Sequence, residues 1–215
     1  MSDPGQFIAE LSIWALPTIF AIILHEVMHG VVARGLGDDT AARAGRLTLN
    51  PLSHIDPFGT VLLPAMLLFL HLPVFGYAKP VPVNFGRLRN GRIGMGMVAA
   101  AGPLTNLTLA ALSGMAAHAL LPMARGSLGP IVAVPLIYMA QASVIINVAL
   151  MVFNLLPLLP LDGGRVMAAL LPLGAARAYA RLEPYGFLIL LLLLYTNWVG
   201  AIVNPIISTL ARALL

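Results

Sequence analysis

The stretch from Phe7 to Ala33 constrains the fold of this chain more than any other, because it is apolar over the length of a membrane-spanning helix. It carries no charged residue from Leu11 to Leu24 and then reads His25-Glu26-x-x-His29. At 1.5 Å per residue, such a helix crosses the ~30 Å hydrocarbon core of a bilayer. The sequence therefore predicts a membrane span that carries ionisable side chains in its last third.

His25 and His29 stand four positions apart, so on a helix both rings can aim a nitrogen at one point. This pair is the two-histidine half of a tetrahedral zinc site, with Glu26 beside it as a candidate base for the attacking water. A chance match on a solvated helix face is the bland alternative. Ionisable groups at membrane depth are costly, rare and functional by default, which favours the zinc site. A third ligand is still required.

The composition places the whole chain in a membrane. Hydrophobic residues make up 60% of its 215 residues, charged residues only 9%, and the mean hydropathy is +0.93. Soluble domains contain about 25% charged residues, so we predict one membrane-embedded domain over residues 1–215, with the lipid bilayer as a partner. The net charge of +4 indicates an excess of basic residues in the loops between spans and not a surface that binds nucleic acid. The absence of cysteine excludes a thiolate nucleophile and a cysteine-ligated metal.

The rest of the chain predicts an all-α polytopic membrane protein with about 4–6 membrane-embedded helices. Further spans are expected at Ile93–Leu121, Ile131–Leu156 and Phe187–Val203, with Asn204-Pro205 ending the last one. Residues 165–183 mix arginines with alanines and leucines, which suits an interfacial helix.

A short re-entrant or extended segment is expected between the first two spans. The apolar run Phe58–Pro73 is short for a span and contains Pro64. The stretch Gly76–Asn84 follows, and Pro80 and Pro82 at alternate positions suit an extended edge. Backbone of this kind is tolerated at membrane depth only when it is buried in protein or lines a wet cavity.

Basic residues indicate which ends of the spans share a side. Those between the first span and the Ile93 span place that region in the cytoplasm by the positive-inside rule: Arg34, Arg43, Arg46, Lys79, Arg87, Arg89 and Arg92. Only Arg125 lies in the opposite loop. The His25 end of the first span and the Asp162 end of the 131–156 span should therefore face the same side.

Asp162 is the strongest candidate for the third ligand. It follows a long uncharged run, and Gly163 and Gly164 allow a close backbone turn after it. Alone, an aspartate before two glycines is an ordinary turn. Coupled to two histidines at the same depth, its carboxylate would complete a zinc site that leaves the fourth position for water.

These motifs together resemble the site-2 protease family of intramembrane zinc metalloproteases, in the short bacterial-type branch without a PDZ or CBS domain. The resemblance covers residues 25–165. It is carried by His25-Glu26-x-x-His29, by Asn154-Leu-Leu-Pro157-Leu-Leu-Pro160-Leu-Asp162-Gly163-Gly164-Arg165, by Ala101-Gly102-Pro103-Leu104-Thr105-Asn106, and by the stretches 45–57 and 76–84.

The resemblance implies hydrolysis of peptide bonds in transmembrane segments of membrane-protein substrates, as in regulated intramembrane proteolysis. His25, His29 and Asp162 would bind one Zn²⁺ per chain, Glu26 would take the proton from water, and Asn154 would donate to the oxyanion. It also implies an integral protein of a bacterial cell (inner) membrane, with the active site toward the cytoplasmic side.

Several alternatives stay open at this stage. A membrane metal transporter also uses intramembrane His, Glu and Asp, and a catalytically silent homologue acting as a scaffold would keep the fold. Asn154 reads equally as a helix-end cap. His54 is either a spare ligand, a groove residue or neither. Residues 76–84 either clamp an unwound substrate near the zinc as an added strand or form a plain surface loop.

Overall fold

The computed structural model describes residues 4–71, 76–127 and 129–215. Within these ranges the regular structure is entirely helical, with no strand, which confirms the all-α prediction. The α-helices are α1 (Pro4–Gly35), α2 (Thr40–Arg43), α3 (Leu63–Phe69), α4 (Gly91–Leu120), α5 (Val134–Asn154), α6 (Asp162–Leu170), α7 (Leu173–Ala180), α8 (Glu183–Tyr195) and α9 (Trp198–Leu214).

In the described ranges, three helical stretches are long and apolar enough to cross a membrane: Glu10–Gly35, Gly91–Arg125 and Gly129–Asn154. They correspond to α1, α4 and α5, the first three predicted spans. The count rises to four if α7 and α8, which meet at 65°, form one broken span. Such helices satisfy every backbone hydrogen bond internally, as the bilayer core requires, so the chain is an integral membrane protein.

Small residues on α4 let its neighbours approach closely. This helix packs against α1, α5 and α6. A Cβ on Gly96 would lie 2.6 Å from the Cβ of Ala169 in α6, and one on Gly114 would meet the carbonyl oxygen of Leu214 at the end of α9. Close backbone approach is the main source of helix association in lipid, because lipid tails are as apolar as leucine. The central position of α4 follows from its small residues.

The buried core lies between α4, α5 and α9. It includes Ala110 from α4, Val144 and Val148 from α5, and Val203 from α9. Branched valines have few rotamers in a helix, so they pack at low entropy cost. This core holds α5 in place and therefore fixes where its last residue, Asn154, emerges toward the Asp162 loop.

The prediction of a single interfacial helix over residues 165–183 is wrong, because this stretch forms two helices, α6 and α7. The break falls at Leu171, which is extended with ψ 149°. Pro172 follows, and a residue before proline is driven out of the helical region by the proline ring. Asp162 also belongs to α6 as its first residue.

The expected last span, Phe187–Val203, is likewise not one helix. The chain breaks at Asn197, whose φ of +58° lies in the left-handed region that asparagine tolerates, and α9 begins at the next residue. Pro205, expected to end the span, lies inside α9 instead. The carbonyl of Pro205 accepts bonds from Ser208 and Thr209 hydroxyls, and such side chains support backbone around proline in membrane helices.

The segment expected to re-enter or extend is short and partly non-helical. A π-helical turn, Pro57–Leu62, leads into α3, and together they are too short to span. The predicted run reached Pro73, and residues 72–75 lie outside the described ranges. Residues 76–84 have no regular secondary structure, as their prolines predict.

Candidate metal centre

His25 and His29 project from one side of α1, as their spacing predicts. Their ring centroids lie 4.8 Å apart in an edge-to-face arrangement. Both residues are buried, with 6% and 8% of their surface exposed. Two imidazoles that share one buried face supply two nitrogen ligands of the kind that Zn²⁺ prefers.

Asp162 reaches the same point from the far end of the sequence. One of its carboxylate oxygens, Oδ2, lies 3.1 Å from His25 Nε2 and 3.4 Å from His29 Nε2. Each of the three residues offers one ligand atom, and these atoms lie within 4.8 Å of one another. The charge pattern predicts that the His25 end of the first span and the Asp162 end of the 131–156 span lie on the same side of the membrane, and in the structure these two ends meet.

The glycines after Asp162 explain how α6 presents it there. A Cβ on Gly163 would meet the carbonyl of Leu155, and one on Gly164 would lie 2.6 Å from the carbonyl carbon of Leu158. With glycine at both positions, the first turn of α6 packs directly on the loop that leaves α5. The Asp162 carboxylate is thereby held at the depth of the histidines.

Hydrogen bonds behind the rings fix which nitrogen faces Asp162. His29 Nδ1 lies 2.7 Å from the carbonyl oxygen of Val98. A carbonyl only accepts, so Nδ1 carries the hydrogen and Nε2 of the neutral ring presents a lone pair. His25 Nδ1 lies 2.6 Å from Oδ1 of Asn106, which sets the same tautomer. Such outer partners are the usual companions of metal-binding histidines.

The residues present fit a divalent metal. Asp162 Oδ2 is buried and has no hydrogen-bond donor within the described ranges, although two imidazole nitrogens lie against it. Three electron-pair donors facing one another repel unless a cation lies among them. Gly102 leaves room for one, because a Cβ there would lie 2.6 Å from His25 Nε2 and 2.5 Å from His29 Nε2. Two nitrogens and one carboxylate oxygen suit zinc with an open fourth position.

Glu26 lies beside this cluster and is held by the segment 76–84. Its Oε2 accepts a hydrogen bond of 2.9 Å from the backbone N–H of Val81. Gly30, one turn along α1, makes this approach possible, because a Cβ there would lie 2.9 Å from a methyl carbon of Val81. The carboxylate expected to act as a base is therefore oriented by backbone.

The rest of the segment is also anchored along one edge. The backbone N–H groups of Tyr77 and Lys79 donate to the carbonyls of Gly59 and His54, at 3.1 and 2.9 Å. Each bonded residue is two positions from the next, the repeat of an extended strand. The intervening Pro80 has no N–H to offer.

Asp38 anchors the end of the same segment. Its buried carboxylate accepts from the Asn84 backbone N–H at 2.6 Å and from Thr40. Burial by itself raises the pKa of the Asp38 carboxyl, but the hydrogen bonds from Thr40 and Asn84 outweigh burial and hold that pKa below its ordinary value. The carboxylate stays charged and fixes Asn84 beside the end of α1.

One cavity of about 1440 Å³ joins these parts. His25, Glu26, His29, Asp162 and Asn154 all line it, together with part of the segment 76–84. Mostly apolar side chains of α1, α5, α8 and α9 form the remaining wall. The space is large enough for a piece of unfolded peptide, and its few polar groups lie where the candidate ligands meet.

Asn154 and His54 line the cavity, and each has one side-chain nitrogen in a hydrogen bond. The Asn154 amide donates to the carbonyl of Leu150 at 2.9 Å, within its own helix. His54 Nε2 bonds the carbonyl of Thr48 at 2.9 Å. His54 is not among the three residues gathered around the candidate metal position.

Sequence reasoning missed the partners behind the histidines. Asn106 stood out as a polar residue in an apolar helix and as part of the family-like stretch 101–106, but neither gave it a role, and nothing singled out the backbone carbonyl of Val98. The available signal for Asn106 was the cost of burying an amide in a membrane helix, which demands a partner. Which partner it meets depends on how α4 packs against α1.

Comparisons with known proteins identify the family of this chain. The model of peptidase family M50 matches residues 119–196. YwhC of Bacillus subtilis, named as an inferred zinc metalloprotease, is 36% identical over 195 residues, which cover 88% of this chain and 83% of YwhC. Rip2 of Mycolicibacterium smegmatis, named in the same way, is 32% identical over 197 residues, 91% of this chain and 70% of Rip2. A comparison with solved structures gave no significant match. Relatives this similar over most of their length confirm the resemblance, and the chain belongs to peptidase family M50, the site-2 protease family.

Proposed function

We propose that this chain is an intramembrane zinc metalloprotease that hydrolyses peptide bonds in the transmembrane segments of membrane-protein substrates. The observation that carries the proposal is the meeting of His25, His29 and Asp162 beside Glu26 in a cavity between membrane helices. A metal transporter needs ligands but has no use for a carboxylate held next to them by backbone. The names of YwhC and Rip2 point to the same activity.

His25, His29 and Asp162 would hold one Zn²⁺ per chain through His25 Nε2, His29 Nε2 and a carboxylate oxygen. When bound, zinc lowers the pKa of water toward neutrality and polarises the scissile carbonyl. The surrounding helices and the hydrogen bonds at both Nδ1 atoms hold the ligand side chains in one arrangement. Such preorganisation reduces the cost of assembling the site on binding.

Glu26 accepts the proton of the attacking water and later delivers it to the leaving amine. The Val81 N–H occupies Oε2, so Oε1 is the oxygen that remains for this proton. A carboxylate with one oxygen fixed has its other oxygen fixed as well. A base oriented in this way supports the assignment of general acid–base catalysis to Glu26, which contributes typically 10²–10⁴-fold to rate.

Asn154 donates its side-chain amide to the oxyanion that forms on the substrate carbonyl. It lies at the end of α5 and lines the cavity, and its amide now bonds Leu150. Turning the amide from this local bond to the substrate is a side-chain rotation, with no change in the helix. A single oxyanion donor contributes about 10²–10³-fold in other proteases.

The segment 76–84 holds the substrate as an added strand. Its N–H groups at positions 77, 79 and 81 are used on the protein side. The carbonyls of the intervening residues, Ala78, Pro80 and Pro82, then face away, because successive carbonyls of an extended chain alternate in direction. This edge accepts N–H donors from an unwound substrate, and an unpaired edge is the usual place for strand addition.

We assign the metal end of the molecule to the cytoplasmic side of a bacterial cell (inner) membrane. Most basic residues lie on that side in the loops that flank α1 and α4, in keeping with the positive-inside rule. A site near this side receives water from the cytoplasmic face. Regulated intramembrane proteolysis is the biological setting that fits such a site.

The decisive experiment measures zinc and cleavage on the same preparations. Wild-type protein purified in detergent should contain one zinc per chain and cleave a model transmembrane peptide. Glu26→Gln should keep the zinc and lose cleavage by about 10²–10⁴-fold, because an amide cannot accept the proton. Asp162→Ala should lose both, since an incomplete shell binds zinc weakly.

Glu10→Gln is the matched control, because Glu10 lies on α1 but is exposed, far along the helix from the histidines. It should behave as wild type. Normal cleavage by Glu26→Gln would remove Glu26 from the mechanism, and full zinc occupancy in Asp162→Ala would remove Asp162 from the ligand set.

A further inference from the structure

A chain of buried amide and hydroxyl groups runs from the back of His25 into the centre of the helix bundle. Asn106 Oδ1 lies 2.6 Å from His25 Nδ1, and Asn106 Nδ2 donates to Asn147 Oδ1 at 2.8 Å. Asn147 Nδ2 donates to the carbonyl of Ser143 at 2.9 Å. Asn106 and Asn147 are 0% and 1% exposed. The chain therefore joins α1, α4 and α5, and its two amide side chains are buried inside the bundle.

Backbone carbonyls at two points fix the direction of every bond in this chain. The Ser143 carbonyl can only accept, so the amide nitrogen of Asn147 must point to it and Oδ1 of Asn147 must point to Asn106. Asn106 then turns its nitrogen to Asn147, where that nitrogen also lies 3.3 Å from the carbonyl of Ala21. Its oxygen is left for His25. A flipped Asn106 would place its oxygen against two acceptors in a buried site, and both hydrogen bonds would be lost.

We propose that Asn106 and Asn147 are positioning residues for the metal: they hold His25 in the tautomer whose Nε2 lone pair faces Asp162. Asn106 acts on His25 directly, and Asn147 acts only through Asn106. His29 needs no such device, because a backbone carbonyl already fixes its tautomer. This inference rests on the proposed function only in that zinc binds at His25, His29 and Asp162.

Loss of the Asn106 hydrogen bond to His25 should weaken zinc binding, which the loss of ordinary packing would not do. Replacing Asn106 by leucine leaves the Nδ1 of His25 in an apolar site, so the ring gains by rotating or by moving its hydrogen to Nε2. Either change removes a lone pair from the metal. Outer partners of metal-binding histidines contribute 10–100-fold to affinity in other proteins, and we expect Asn106→Leu to raise the zinc dissociation constant by that factor.

Asn147→Leu should raise the dissociation constant by less. Without Asn147, the Asn106 amide keeps the Ala21 carbonyl as one acceptor, so its orientation is weakened but not lost. The double variant should bind zinc as Asn106→Leu does, because Asn147 has nothing to act through once Asn106 is gone. This lack of additivity is the signature of residues in one network.

Competition between the full-length protein in detergent and a chromogenic chelator, at fixed pH, gives the zinc dissociation constant of each variant. Thr105→Val is the matched control, because Thr105 neighbours Asn106 on α4 and bonds only within its own helix, to Ala101. It should leave the dissociation constant unchanged. Thermal unfolding of metal-free protein, recorded alongside, measures any loss of packing separately.

Unchanged zinc affinity in Asn106→Leu and Asn147→Leu, with lower unfolding temperatures, would make the chain a packing feature and overturn the inference. Additive losses in the double variant would also overturn it. If Asn106→Leu does not fold, Asn147→Leu alone decides, since an unchanged dissociation constant there contradicts its assigned role. Failure of wild-type protein to bind zinc would instead refute the proposed function.

Discussion

Gly102 is the point at which α4 passes both histidine rings, and its lack of a side chain keeps the space beside their Nε2 atoms open. A Cβ there would lie 2.5 Å from His29 Nε2, closer than a Cβ approaches a non-bonded heavy atom in real proteins. Both rings are tethered at Nδ1, so neither can retreat without breaking a buried hydrogen bond. We expect Gly102→Ala to weaken zinc binding by at least roughly tenfold, as loss of an outer partner does.

Metal analysis of purified protein checks this prediction. Gly174→Ala serves as control, because Gly174 also lies in a helix but a Cβ there would have no atom within 4 Å. It should keep full zinc and unfold at the wild-type temperature or slightly higher, since alanine favours helix. Full zinc in Gly102→Ala would show that the metal does not lie beside α4.

The residues with distinctive chemistry were those that sequence reasoning could find. Histidine, glutamate and aspartate in apolar runs have few roles, and the charge pattern placed the two runs with their functional ends together. The bonding partners of Asn106 and Asn147 could not be predicted, because an asparagine in a membrane helix bonds whichever neighbour the packing supplies. Val81 contributes through its backbone N–H, and because almost every residue has one, the identity of the side chain does not indicate this role.

At the scale of elements, the segment 76–84 is the part of the site that is not helical. Four anchors hold it against the end of α1 and the preceding turn, and one of them is Glu26. The segment therefore couples the position of an added strand to the orientation of the base. Its prolines predicted the lack of helix, while its contact with Glu26 required the fold.

Cysteine cross-linking tests whether this segment binds substrate, and the native chain has no cysteine to interfere. Single cysteines at Ala78 and Val83, which line the cavity, should form disulfides with a substrate cysteine placed beside the cleavage site. The Glu26→Gln background keeps the substrate intact. Val81 is less suitable, because its side chain is buried against α1.

A cysteine at Ser127, in the loop beyond α4, is the negative control for random collision. It should give no product under the same oxidation. If Ala78 and Val83 also give none while a cysteine at Leu150 near Asn154 does, the substrate lies along α5 and the strand-addition hypothesis is wrong.

The helices that could be predicted from the sequence are those whose positions depend on the length and apolarity of the segment. The three long spans follow from hydropathy, because only a helix satisfies its backbone in lipid. The predicted position of the helix break near the C-terminus is wrong, because the sequence predicts an end at Asn204-Pro205 and none at Asn197. In the structure Pro205 lies inside a helix, and Asn197 lies in the break between α8 and α9. Hydroxyl groups of Ser208 and Thr209 bond the Pro205 carbonyl, and α9 packs against α5.

For the whole molecule, the charge distribution supports one orientation in the membrane. The loops at the His25 end of α1 carry seven arginine and lysine residues between Arg34 and Arg92. The other side carries Arg125 and, at the end of α9 beside Gly114, Arg212. Positive loops stay in the cytoplasm, so the metal end should face inward and the loop after α4 outward.

Labelling of single cysteines in intact cells tests this orientation. Ala44 and Ser127 are both exposed and lie in connections at opposite ends of the spans. A membrane-impermeant maleimide should label a cysteine at Ser127 in intact cells and one at Ala44 only after the membrane is permeabilised. Retained cleavage by both variants shows that each is inserted correctly. Labelling in intact cells of the cysteine at position 44 alone would indicate the opposite orientation. The metal end would then face outward, and water would reach the site from outside the cell.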